Sequence, residues 1–314
     1  MRILVFGAGV IGSVYAAQLH RAGHEVVVLA RGSRLNAIRR DGLLLENVAT
    51  QLRTSTKVTV VSRLADDDTY DLVVVPVRFD QLTSALDILL AWRATSDVLF
   101  FGNNPLGADR LIAAIGRERV LLGFPGAGGQ HDGSLIRYLV IRQQRTTLGE
   151  LDGARTKRIM EIAAAFHAAG FSVALSSDMQ SWLKTHAAFV SQVAAAIYAA
   201  NGDPAELAGS PHLLRLMVRA VGESFRSLAA IGIREAPSNL RLLHGYMPEW
   251  FAVRYWRRQF SKKLGQFGLA AHAISARPEM TILAGAIHKL LLASPSTNRS
   301  TNELFRRAGL EYKE

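Results

Sequence analysis

The chain has 314 residues, of which 49% are hydrophobic and 20% charged, a balance that excludes a largely disordered protein and leaves room for two domains. It has no cysteine, so a disulfide framework, a thiolate metal site and a cysteine nucleophile are all excluded, in keeping with a cytoplasmic protein. The 37 Lys and Arg against 26 Asp and Glu leave a net charge of +11, which suits an enzyme for anions or a nucleic-acid binder, and no apolar run reaches the length of a membrane span.

Read in order, the chain begins with an apolar, β-branched run, Arg2 to Phe6, and then GAGVIG as a helix opens over Val10 to Ala22. This is the strand, glycine turn and helix of a dinucleotide-binding unit. Gly7 serves the tight turn, Gly9 lets a pyrophosphate approach the backbone, and Gly12 lets helix and strand pack closely. Ala8, Val10 and Ile11 complete the turn and offer main-chain N–H groups at a helix N-terminus. A signal peptide is the alternative for Arg2 plus an apolar run, and the three glycines and the second strand, Glu25 to Ala30, argue against it.

The tip of that second strand decides the nucleotide. An NAD enzyme places Asp or Glu there for the ribose hydroxyls, whereas this chain has Arg31, Ser33 and Arg34, which suit a 2′-phosphate. NADP is therefore expected, against the alternative that Arg31 is a solvated loop residue.

Further strands are predicted at Leu43 to Glu46, Val58 to Ser62, Asp71 to Val77, Asp97 to Gly102, Val120 to Phe124, Leu139 to Leu148 and Phe171 to Leu175, with a helix over Ala154 to Ala169. From Asp178 the pattern changes to helices: Ser181 to Ala200, His212 to Ile231, Glu249 to Phe260 and Pro278 to Leu292. The expected architecture is a Rossmann-type α/β domain with a parallel sheet over residues 1–176, then an all-helical domain over residues 177–314. The helix near Glu249 mixes Arg254, Arg257, Arg258, Lys262 and Lys263 with Trp250, Phe251, Tyr255, Trp256 and Phe260. Such mixing can bind single strands, but at helical spacing it reads as buried aromatics under a solvated cationic face, and no nucleic-acid partner is expected. Lys184 stands in the first turn of an otherwise apolar helix just past the domain junction, and His186 lies on a different face.

These residues together resemble the ketopantoate reductases (2-dehydropantoate 2-reductases), over nearly the whole chain. The resemblance rests on GAGVIG with Arg31, on Arg78-Phe79-Asp80-Gln81 as the family's cation-x-x-Gln, on Asn104 after the fifth strand, and on Trp182-x-Lys184. It implies cofactor contacts from Gly7, Ala8, Gly9, Val10, Ile11, Gly12, Arg31, Arg78, Gln81 and Asn104, with Gly128 and Gly129 toward the nicotinamide. It also implies Lys184 as the catalytic lysine, Glu279 as a carboxylate that orients it or the substrate, and Asn201 in the polar turn after the helix. Glu223 falls where the next helix of the family carries a glutamate.

The chain departs from the family's pattern in three places. The two asparagines expected one and two turns after the lysine are Ala188 and Gln192, so Gln192 is the remaining substrate candidate there. The serine-rich substrate segment has no clear counterpart in Pro237 to Ala276, and the later motif survives only as Arg277-Pro278-Glu279-Met280, where Glu279 reads equally as a helix N-terminal carboxylate. The function implied is NADPH-dependent reduction of a 2-keto acid, with 2-dehydropantoate first among substrates. A related reductase for another carbonyl or imine and a non-catalytic NADPH sensor are the alternatives. No metal is expected, and the long apolar helices would allow a homodimer.

Overall fold

A computed structural model describes residues 1–92, 97–141, 143–262 and 264–310, apart from the side chains of residues 264 and 266. The chain divides into two compact units, Met1–Gly102 with Ala108–Met179, and Asn103–Gly107 with Gln180–Glu314.

The first unit opens with β1 (Arg2–Phe6), α1 (Val10–Arg21) and β2 (Glu25–Leu29). β1 and β2 pair in parallel from Arg2↔Glu25 to Phe6↔Leu29, and four of the five residues in each strand are buried, as continuous apolar runs require when both faces are covered. The chain continues through α2 (Gly32–Asp41), β3 (Leu43–Asn47), β4 (Leu52–Thr56), β5 (Thr59–Val61), β6 (Leu72–Val75), α3 (Leu82–Trp92), β7 (Asp97–Phe101), α4 (Asp109–Ile115) and β8 (Val120–Phe124). It then adds β9 (Ala127–Asp132), β10 (Leu135–Val140), β11 (Thr146–Gly149), α5 (Lys157–Ala168) and β12 (Val173–Leu175).

The main sheet has the order β12-β11-β8-β7-β6-β1-β2-β5. Its neighbours are parallel except β8 and β11, so the expected parallel sheet is mixed at that point. The strand expected over Leu139 to Leu148 is two strands in different sheets: β10 ends at Val140, the Ile141 N–H bonds to the Gly126 carbonyl, and Thr146 starts β11 by donating to the Ser172 carbonyl. β10 belongs to a smaller sheet of order β4-β3-β10-β9, tied by Glu46 on β3, whose carboxylate accepts from Arg53 at 2.6 Å and Arg137 at 2.9 Å. These two cations hold the Glu46 carboxyl below the usual carboxylate range.

Tyr15 locks α1 to the carboxyl end of the main sheet. Its ring stacks on Phe171 at 4.0 Å and meets Phe101 edge-on, and its hydroxyl bonds Thr146 Oγ1 at 2.6 Å while accepting from the Gly126 N–H at 2.9 Å. Complete burial pushes its ionisation well above the ordinary tyrosine range, so it remains a neutral bridge.

The second unit is helical: α6 (Met179–Ala199), α7 (Pro204–Gly209), α8 (Pro211–Ala230), α9 (Ser238–Gly245), α10 (Glu249–Phe260), a π-helical turn (Leu264–Ala270), α11 (Ala271–Ser275), α12 (Arg277–Leu292) and α13 (Arg299–Arg307). Alanines 187, 188 and 194–196 of α6 are at most 1% exposed, so small side chains let this helix run through the core of the unit. Among the described residues no helix is long and apolar enough to cross a membrane.

Candidate active site

The three glycines of the turn in the first unit differ in their surroundings. Gly7 sits at φ +115°, a conformation that costs L-residues. A Cβ on Gly12 would stand 2.1 Å from the Gly7 carbonyl oxygen, so helix and strand meet there at a distance only glycine allows. A Cβ on Gly9 would meet nothing within 4 Å, because this glycine faces open space at the start of α1. No acidic residue occupies the first turn of α1, which leaves the positive end of the helix dipole for an anion.

That open space belongs to a cleft of about 890 Å³ lined by Gly7, Ala8, Gly9, Arg31, Ser33 and Gln81 among others. Arg31 is exposed and occupies the N-cap of α2, so the segment that could have been a loop is a helix start with the arginine at its mouth. Arg34 has another job. Its guanidinium lines the same cleft and donates to the Ala8 carbonyl at 3.1 Å, the Ser134 carbonyl at 2.8 Å and Ser13 Oγ at 3.1 Å, so it braces the glycine turn. Arg78 caps a short 3₁₀ turn over Phe79–Gln81 and lies 3.5 Å from the Asp80 carboxylate. Val10 and Ile11 pack partly on the core, leaving only their backbone at the turn. Gly129 lies inside β9, where a Cβ would come within 2.3 Å of the Arg137 carbonyl, so close strand packing explains this glycine.

The second unit gathers a different set. The segment Asn103–Gly107 clusters with the helices, one end bonding Glu279 and the other lying beside Lys184. At one end the Asn103 amide donates to Glu279 Oε1 at 3.2 Å. At the other, Gly107 adopts φ +84° against α6, where a Cβ would be 3.1 Å from Gln180 Oε1 and 3.9 Å from both Cε and Nζ of Lys184. Asn104 closes the segment by donating to the Gly107 carbonyl at 2.7 Å. Lys184 is half-buried, whereas Glu279 is 1% exposed. Glu279 Oε2 also lies 3.4 Å from Nε2 of His272. His186 is structural: it stacks on Trp182 at 5.0 Å, and burial, aided by the charge of His272, pulls it down to about 3.

Other candidates are not brought to Lys184. Gln192 is fully buried two turns further along α6 and donates to Ser224 Oγ at 3.1 Å, as part of the helical core. Asn201 is exposed beyond the end of α6, at φ +54°, and donates to Glu206. Glu223 caps α13, accepting from the Ser300 and Thr301 N–H groups and the Ser300 hydroxyl. On α10, Trp256 and Phe260 are buried beneath exposed Arg254, Arg257 and Arg258, but Trp250 and Phe251 in its first turn are exposed, contrary to the expectation for all its aromatics. Lys263 lies outside the described residues. Asn103, Gly107 and His272 were not singled out from the sequence, since nothing local distinguishes them.

Comparison with known proteins agrees with these features. Residues 3–153 match the family model for ketopantoate reductase PanE/ApbA. The 2-dehydropantoate 2-reductase of Mesorhizobium japonicum is 30% identical over 267 residues, covering 74% of this chain and 79% of that protein. The 2-dehydropantoate 2-reductase of Pyrococcus horikoshii is 27% identical over 255 residues, covering 77% and 78%. Among solved structures, D-mandelate dehydrogenase in ternary complex with NADH and anilino(oxo)acetate superposes with a TM-score of 0.76 at 16% identity over 98% of this chain and 97% of that one. A PanE/ApbA family ketopantoate reductase from Ralstonia eutropha JMP134 gives 0.73 at 23%, over 99% and 98%. These two share the fold. Fold and relatives together define an oxidoreductase with a Rossmann-type unit followed by a helical unit. The chain belongs to the ketopantoate reductase family.

Proposed function

We propose that the chain is an NADPH-dependent reductase of a 2-keto acid, with 2-dehydropantoate as first substrate and Lys184 as the group that polarises its carbonyl. The observation that carries this reading is the short segment Asn103–Gly107, which sets Asn103 on the buried Glu279 and Gly107 against the Lys184 side chain, so that a cation and a carboxylate share one polar loop.

The first unit fits the cofactor. Gly9 leaves room where a side chain would block a pyrophosphate, the start of α1 offers N–H donors, and Arg31 with Ser33 at the same cleft supplies a guanidinium and a hydroxyl for a 2′-phosphate. Bound NADPH supplies the hydride that the carbonyl carbon receives. The chain's own contribution is to manage the oxygen. As negative charge develops there, the Lys184 ammonium donates a hydrogen bond and then a proton, an interaction stronger in the transition state than in the ground state. Glu279 places a buried carboxyl group on the same short segment, through Asn103.

A sibling reductase for a different 2-keto acid is the second reading, favoured by α6 itself: Ala188 has no polar group and is fully buried, and Gln192 is tied to Ser224. Both readings meet the same test, NADPH oxidation with a panel of 2-keto acids. Turnover greatest with 2-dehydropantoate supports the first, turnover greatest with another member supports the second, and saturable NADPH binding without any turnover overturns both in favour of a sensor.

A further inference from the structure

The Glu279 carboxylate is sealed from solvent, its side chain 2% exposed, yet His272 beside it is 42% exposed, with Nε2 and Oε2 3.4 Å apart. A buried carboxylate is expensive to ionise unless donors or a cation compensate it. Asn103 gives Oε1 one neutral donor at 3.2 Å. His272 faces the other oxygen, so the pair joins a half-exposed imidazole to a carboxyl group that solvent does not reach.

The π-helical turn packed against α11 contains no titratable residue. From α6, His186 stays neutral because burial pulls it to about 3, and Tyr198, whose hydroxyl donates to the Ala273 carbonyl at 2.6 Å, is pushed up to about 12, chiefly by burial. On α12, the Arg277 guanidinium lies over the Tyr198 ring at 4.6 Å. Asn103–Gly107 has no ionisable side chain.

We propose that His272 is a positioning residue of the reduction: through Nε2 it pairs with Glu279 and holds that carboxyl group against Asn103, and so keeps in register the segment whose far end lies beside Lys184. The role rests on the reading of Lys184 and Glu279 given above.

The test is H272Q, which keeps a neutral donor but cannot titrate, beside the wild type. Expected are a kcat about tenfold lower, as misplacement near a reacting centre produces, and KM within about threefold of wild type because a positioning residue does not itself bind the substrate. Wild-type kcat in H272Q overturns the role. A second measurement does not depend on turnover: the denaturant midpoints of H272Q, E279Q and the double variant at pH 6. A paired His272 and Glu279 make the double variant lose less than the two single losses combined, whereas additive losses overturn the pairing. Absence of turnover by the wild type with every 2-keto acid would instead sink the underlying reading, and the midpoints would still decide the pair.

Discussion

In the Rossmann unit the candidate site is made of backbone, and in the helical unit it is made of side chains. Gly7, Gly9 and Gly12 lie within six residues of one another and act through what they lack: a strained φ, an open approach and a contact too close for any Cβ. Lys184, Asn103, His272 and Glu279 come from segments as much as 176 residues apart and act through what they carry. The first kind of site needs a local motif, since consecutive residues already define the turn. The second needs the tertiary fold to be complete before any two of its members meet.

The sharpest way to break the contrast is within the glycine turn. Gly12→Ala drives a Cβ to 2.1 Å from the Gly7 oxygen, where neither backbone can give way, and should lose on the order of 2–4 kcal/mol of stability together with cofactor binding. Gly9→Ala meets open space, so stability should stay within about 0.5 kcal/mol while NADPH affinity falls at least about tenfold. Denaturant unfolding and a binding titration on both variants check this; equal stability losses would show that the two glycines are not doing different jobs. The next effect in size concerns the mouth of the cleft. Arg31→Asp should weaken NADPH binding about 10- to 100-fold, the value of hydrogen bonds to a charged group, and leave NADH binding unchanged or better. Unchanged NADPH affinity in that variant would remove Arg31 from the 2′-phosphate.

The smallest effect lies in the helical unit. His186 and His244 are held neutral by burial, with ionisations pulled down to about 3 and about 4. The unfolded chain takes up protons near pH 6.5 that the folded chain refuses, so their stability contribution is complete above about pH 6.5 and lost as the pH falls below it, by about 1–2 kcal/mol each at pH 5. Guanidinium midpoints at pH 7 and pH 5 measure the loss, and H186F or H244F should reduce it. A midpoint independent of pH would mean that neither imidazole is held neutral.

How much of this was legible in the sequence follows the same division. The strands Arg2–Phe6 and Glu25–Leu29, the glycine turn and the change to helices near residue 178 are written in local periodicity and spacing. Leu139 to Leu148 was misread as one strand because an apolar run does not say which sheet its ends join, and the turn at Ile141 is fixed by a hydrogen bond to distant Gly126. Lys184 and Glu279 were named through family resemblance. Asn103, Gly107 and His272 stayed silent because each is ordinary in its own segment, and only the fold sets them around that carboxylate and that lysine. Arg34 was grouped with Arg31 as a phosphate-facing cation, and its commitment to Ala8, Ser13 and Ser134 shows that charge alone does not reveal where a guanidinium is spent.

The central claim, that the first unit holds the cofactor and the second supplies the catalytic cation, is tested most directly by Lys184→Ala assayed for both properties at once. The account predicts that kcat with the preferred 2-keto acid falls about 10²- to 10⁴-fold, while the dissociation constant for NADPH stays within about twofold because none of its proposed contacts lies on α6. Unchanged turnover in that variant, or a loss of NADPH affinity as large as the loss of turnover, would contradict it.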